Sequence, residues 1–199
     1  MSSIKRFIVC SVIAVFATAM PAAAQDPPKV QFAAGYQMLR EEGETLPVGW
    51  FAEVSGAVTP AISWVGLVSG AYKTIDETET ISGVAVTAEG DLSIHMFMGG
   101  ARYTVRTNPS MTPFAHALVG GVRGSVSLTG SATVGGQTFS TTESESSTEF
   151  GLLAGGGLDF RLTDNAGLRV GADYLRLFVD EGGANGFRFT VGVVFPFGQ

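Results

Sequence analysis

Cysteine is almost missing from this sequence. The one present, Cys10, sits in the first segment, where FIVC is the wrong context for a lipid-attachment cysteine. If that segment is removed, the remaining chain has no disulfide framework and no thiol chemistry. Histidine is nearly as scarce, with His95 and His116 alone, and no His/Cys metal cluster can be assembled from them. Lysine is confined to Lys5, Lys29 and Lys73, which excludes a basic nucleic-acid surface. There is no glycine-rich phosphate loop. Beyond residue 24 there is no apolar run as long as the roughly 20 residues a spanning helix needs. A chain of this kind that crosses a membrane does so as a closed barrel, because lipid offers backbone groups no other partner.

The opening residues, MSSIKRFIVCSVIAVFATAMPAAA, place Lys5 and Arg6 before an apolar core from Phe7 to Ala19 and the small residues Ala22-Ala23-Ala24. That order predicts a secretory signal peptide over 1–24, cleaved after Ala24, with 25–199 as one domain. The processed chain carries ten basic against eighteen acidic residues, a balance of −8.

The stretch FRFTVGVVFPFGQ, Phe187 to Gln199, shows what that domain is. Phe187, Phe189, Val191, Val193, Phe195 and Phe197 share one parity, with Arg188, Thr190, Gly192 and Val194 on the other. Side chains alternate across a strand, so every large apolar group points one way, with aromatics at both ends. Seven further segments alternate similarly: Val30 to Leu39, Val48 to Val58, Ile62 to Lys73, Leu92 to Val105, Phe114 to Leu128, Glu149 to Leu162 and Leu168 to Val179. Eleven residues tilted by about 45° cross about 25 Å, the apolar band of an outer-membrane barrel.

The connections alternate between longer and short. Thr59-Pro60, Arg106 to Pro113 and Thr163 to Asn165 are short; Arg40 to Pro47, Thr74 to Asp91, Thr129 to Thr148 and Asp180 to Gly186 are longer. Val134-Gly135-Gly136-Gln137 within the third long one is a hairpin signal. The predicted fold is all-β, an eight-stranded antiparallel up-and-down transmembrane β-barrel with short periplasmic turns and longer extracellular loops. The opposite parity is mostly Gly, Ser, Thr and Ala, small enough for a narrow lumen. Odd strands running outward put Tyr36, Trp50, Tyr72, Phe150, Tyr174, Phe187 and Phe189 near the outer interface. Trp64, Tyr103, Phe114, Phe160, Phe195 and Phe197 then fall near the inner one. Two aromatic girdles emerge. Periodicity leaves open whether His95, Arg102, His116 and Arg123 face in.

The segments GLLAGGGLDFRL, AGLRVGADYLRLFV and GFRFTVGVVFPFG, with MFMGGARYTV and TPFAHALVGGVRG before them, resemble strands of the outer-membrane barrel family built like the OmpA transmembrane domain. The resemblance covers essentially the whole chain and is specific for architecture. It implies residence in the bacterial outer membrane and insertion by the barrel-assembly machinery.

One interior cluster stands out: Glu53, Asp159, Arg169, Asp173 and Arg188. A hairpin around Thr163 to Asn165 sets Asp159 nearly opposite Arg169. Ions inside a narrow barrel must pair, which gives either a structural plug or a narrow gated channel. Ser93 lies two residues before His95 on the same face, but no acid is placed to orient that pair for hydrolysis. The residues point to no catalytic group, metal site or cofactor. Acids crowd the longer segments, including Glu44, Asp76, Glu89, Asp91, Glu143 and Glu145. They suit a solvated surface, divalent bridging to lipopolysaccharide phosphates, or an extracellular partner. The expectation is a monomer surrounded by outer-membrane lipid and lipopolysaccharide, with a structural or surface-contact role and without enzymatic activity. A small-solute channel, a lipid-modifying enzyme and a soluble barrel are the alternatives.

Overall fold

The alternation of FRFTVGVVFPF is carried by strand β9, Asn185–Phe197, whose six apolar residues from Phe187 to Phe197 are exposed while Arg188 and Val194 are buried on the other face. The computed structural model describes residues 28–41, 44–81, 84–134, 137–179 and 183–198. The expected signal peptide lies outside the described residues, as do Glu42, Asp180 and Glu181.

Before β9 come β1 (Val30–Glu41), β2 (Glu44–Leu46), β3 (Val48–Ala57), β4 (Ile62–Ile81), β5 (Val84–Thr104), β6 (Met111–Val134), β7 (Gln137–Arg161) and β8 (Gly167–Phe178). Neighbours pair antiparallel in sequence order, and β1 closes on β9 from Val30 opposite Phe197 to Glu41 opposite Gly186. The ring has eight strands because β2 and β3 lie on the same side of β1, interrupted at Pro47. Proline has no N–H to give the ladder. Its carbonyl instead accepts the Tyr36 hydroxyl.

The short turns and both ends of the barrel chain, at Val30 and Phe197, lie at one rim. At the other rim the structure departs from the sequence reading. Thr74 to Asp91 and Thr129 to Thr148, expected as loops, are paired ladder: β4 to β7 are 20, 21, 24 and 25 residues long. Val134 opposite Gln137 leaves two residues for the connection, in keeping with the hairpin signal there. A strand needs about eleven residues to cross the apolar band of such a barrel, so roughly half of each of these four exceeds that span and continues as a sheet.

The outward faces carry Tyr36, Trp50, Trp64, Tyr103, Phe150, Tyr174, Phe187, Phe189, Phe195 and Phe197 exposed, with Tyr72 and Phe160 half-buried. Phe114 is the correction. It points into the barrel at 5% exposure, sharing its parity with the buried His116, Leu118 and Val122. In β6 both parities are apolar, so alternation could not place it. The lumen also differs from the small-residue filling expected. Leu39, Leu67, Met96, Leu118, Leu153 and Leu175 are its largest fully buried side chains, beside Leu46.

One close approach of β7 to β8 depends on a glycine. A Cβ on Gly157 would stand 2.1 Å from the Val170 carbonyl oxygen and 2.8 Å from Phe114 Cζ. The absent side chain makes room for that ring.

Candidate functional site in the barrel interior

Inward positions on six strands supply ionisable groups that meet across the lumen. β3 contributes Glu53, β5 Arg102, β6 His116, β7 Asp159, β8 both Arg169 and Asp173, and β9 Arg188. Register makes the local pairs: Asp159 lies opposite Arg169, Asp173 opposite Arg188, and Arg102 opposite His116. Side chains directly opposite on one face of an antiparallel pair sit within reach of each other.

Glu53 joins them across the lumen. Its two oxygens each accept from Arg102 at 2.6 Å, and Oε1 also accepts from Arg169. Arg169 turns its Nε and Nη2 onto the two oxygens of Asp159, both at 2.7 Å. Arg188 grips Asp173 Oδ2 through Nε at 2.8 Å and Nη2 at 2.6 Å. Such paired, charge-assisted bonds are the strong ones.

His116 is the link between the halves. Its Nδ1 lies 3.1 Å from Arg102 Nη2 and its Nε2 lies 2.8 Å from Asp173 Oδ1. A guanidinium only donates, so Nδ1 must accept, and the ring proton belongs on Nε2, donated to Asp173. The ring is therefore neutral in this arrangement. Three guanidiniums face three carboxylates, and the cluster balances.

Phe114 completes it from the inner side. The Arg102 and Arg169 guanidiniums lie 4.3 Å and 4.8 Å from its ring centroid. Cations over an aromatic face are attracted by its quadrupole. A ring expected in the lipid girdle thus serves as a floor for the ion cluster.

Outward of the ions the lumen turns apolar. On β3, β5, β6, β7 and β8, residues such as Phe51, Met96, Met98, Leu118, Leu153 and Leu175 lie between the charges and the rim where β4 to β7 are extended. Gln37 is buried there too and donates to the Gly70 carbonyl at 3.1 Å. Ions and hydrocarbon thus form two stacked layers.

The structure brings all five sequence-selected ionic residues together. Arg102 and His116, whose facing the periodicity left open, join them. One signal could have found both: with Tyr103 in the girdle, the adjacent Arg102 must face in, and the register then sets His116 beside it. His95 and Arg123 face outward and pair across β5 and β6. Tyr72 Oη lies 3.1 Å from His95 Nε2 and accepts from Trp50 Nε1 at 3.1 Å. Asp91 accepts the Thr74 hydroxyl at 2.8 Å.

A family model described as the outer membrane protein beta-barrel domain matches residues 7–197. The chain belongs to that family. As an outer membrane protein beta-barrel, it resides in the bacterial outer membrane. Among solved structures this family member resembles Ail, the attachment invasion locus protein of Yersinia pestis, at 18% identity and a TM-score of 0.47, over 85% of this chain and 99% of that one. It also resembles Neisserial surface protein A, at 14% and 0.46 over 84% and 96% of the two chains. The N-terminal barrel domain of Pseudomonas aeruginosa OprF is similar at 13% and 0.42, over 87% and 100%. No curated protein matches the sequence.

Proposed function

We propose that this barrel is a sealed, non-enzymatic outer-membrane protein with a structural and surface-contact role. The observation that carries the reading is the filled lumen. A water path would have to pass both a neutral, mutually bonded ion cluster and a layer of buried leucines and methionines. An eight-stranded barrel holds little beyond its own side chains, and here those chains leave hydrocarbon in the way. A small-solute channel would line its lumen with polar groups instead.

Two outer-face contacts support a non-catalytic role. His95 is held by Tyr72 and stands next to Arg123, so its neighbours are a phenol and a cation. A Ser93–His95 pair needs an acid to orient the ring, and Asp91 is bonded to Thr74. Contact with the surroundings falls to the sheet beyond the membrane, where the acids gather. Its proposed partners are lipopolysaccharide, directly or through divalent ions, and an extracellular molecule. Export by the signal peptide at 1–24, insertion by the barrel-assembly machinery and a monomeric state complete the proposal.

Planar-bilayer recording on the folded protein tests it. The expected trace shows no sustained conductance. Steps that scale with salt concentration would favour the channel and overturn the sealed reading.

A further inference from the structure

Past the apolar band, β4 to β7 continue as a sheet whose concave side follows the inward parity of the barrel. On that side β6 carries Val122, Val126 and Leu128, β5 carries Leu92 and Ile94, and β7 carries Glu143, Glu145 and Glu149. Register sets them in rows. Leu92 lies opposite Val126 and Val126 opposite Glu145; Leu128 lies opposite Glu143 and Val122 opposite Glu149. An apolar strip thus runs beside a column of carboxylates.

The outer part of the strip faces away from the lipid and is uncovered, while Ile94 and Val122 at its base are already buried. Val126 is 42% and Leu128 60% exposed, on the opposite face from the aromatic wall. At its base the strip meets Leu177 and Ala184 across the mouth, enclosing an open cup of ≈ 720 Å³ with Glu145 and Glu149 on its side. That size falls within the roughly 300–1,000 Å³ of small-molecule sites. Nearby cations are engaged elsewhere. Lys73, beside Leu92 on β4, is bound to Glu44, and Arg123 faces outward and donates to Ser146 at 3.2 Å. Among the described residues Glu145 and Glu149 have no ion-pair partner.

We propose that the cup binds a small amphiphilic cation, an apolar body with an ammonium or guanidinium head. Its body would cover Leu92 and Val126 over a floor of the already buried Ile94 and Val122, and its head would lie against Glu145 and Glu149. Burying the strip's exposed outer part supplies the driving force, and the carboxylates select the sign of charge. An anion or a neutral analogue of equal size gains only the first. This deepens the surface-contact reading and rests on the β4–β7 sheet standing outside the membrane.

The full chain in zwitterionic nanodiscs, with labelled Ile, Leu and Val methyls, is titrated with 4-phenylbutylammonium, 4-phenylbutanol and 4-phenylbutyrate. Saturable shifts at Leu92, Ile94, Val122 and Val126 are expected with the cation, about tenfold tighter than with the alcohol. A Glu145→Gln/Glu149→Gln variant should bring the cation to the affinity of the alcohol. Equal responses to cation and alcohol would overturn the proposal. So would shifts centred on Val54, Val68 and Val119, which face lipid. Whole-cell labelling of a Ser144→Cys variant with a membrane-impermeant maleimide separates the two readings. Labelling without cup binding removes the ligand alone, whereas no labelling removes the exposed sheet on which it rests.

Discussion

Replacing Glu53 by glutamine keeps the side-chain shape and removes one charge from the middle of the lumen. Arg102 loses the charge to which it donates twice at 2.6 Å and retains only neutral neighbours: one amide oxygen, the Nδ1 of His116 at 3.1 Å and the Phe114 ring at 4.3 Å. Arg169 loses one contact but keeps Asp159 at 2.7 Å. Arg102 is 2% exposed, so water cannot stand in for the missing carboxylate. Breaking a buried pair from one side costs about 3–5 kcal/mol, and here most of that falls on Arg102. Asp159→Asn should cost less, about 1–3 kcal/mol. Its side chain is 14% exposed, and Arg169 would still hold Glu53. Pairing Glu53→Gln with Arg102→Met removes the orphaned cation and should recover at least about half of the loss. Equilibrium unfolding from lipid vesicles reads the three variants through the fluorescence of the lipid-facing Trp50 and Trp64. A Glu53→Gln cost below about 1 kcal/mol, or a double variant no more stable than the single one, would refute the cluster as a unit.

Two further outcomes follow from local geometry. Gly157→Ala forces a Cβ to 2.1 Å from the Val170 carbonyl oxygen and should destabilise by about 1–3 kcal/mol or more. Gly130→Ala has nothing within 4 Å and should stay within about 0.5 kcal/mol; equal costs in the same unfolding assay would count against the close approach. Glu44, above the membrane, is held below the ordinary 4.5 chiefly by its hydrogen bond from Lys73 and then by that residue's charge. A depressed carboxylate stabilises above its unfolded pKa and loses that contribution as pH falls through the folded value, so the β2–β4 tie should weaken below about pH 4.5. Carboxyl NMR titration should show Glu44 moving back toward its ordinary value in Lys73→Met; an unchanged midpoint would remove the tie.

How far the sequence reveals this molecule depends on what lies on the two faces of each strand. β9 is legible because one face is aromatic and the other carries Arg188 and glycine. Asp159 and Arg169 are legible because a three-residue turn fixes their register. β6 is not, because Phe114 and Leu118 on one parity and Val119 on the other are equally apolar, one set meeting hydrocarbon and the other a dry lumen. Leu152 and Leu153 in β7 cancel in the same way. The extensions of β4 to β7 fail for the opposite reason. In TTESESSTE both faces are polar, so the period-two signal vanishes and composition alone reads as loop. What remains is weak, the β preference of threonine and the spacing of Val134 and Gln137.

The two layers in the lumen make different demands on the chain. The ion cluster fixes geometry: Asp159 and Asp173 each hold one guanidinium, Glu53 holds two, and His116 takes only one tautomer. The apolar layer fixes little beyond volume, since leucine and methionine repack with modest cost. A gate would need an alternative partner for each ion as it moves, yet the space above the cluster offers hydrocarbon. A guanidinium displaced outward from Arg102 or Arg169 would be both unpaired and desolvated. The leucines therefore hold the ions in one arrangement, and the ions hold the strands in register. A lumen organised in this way stiffens the barrel beneath the long extensions of β4 to β7.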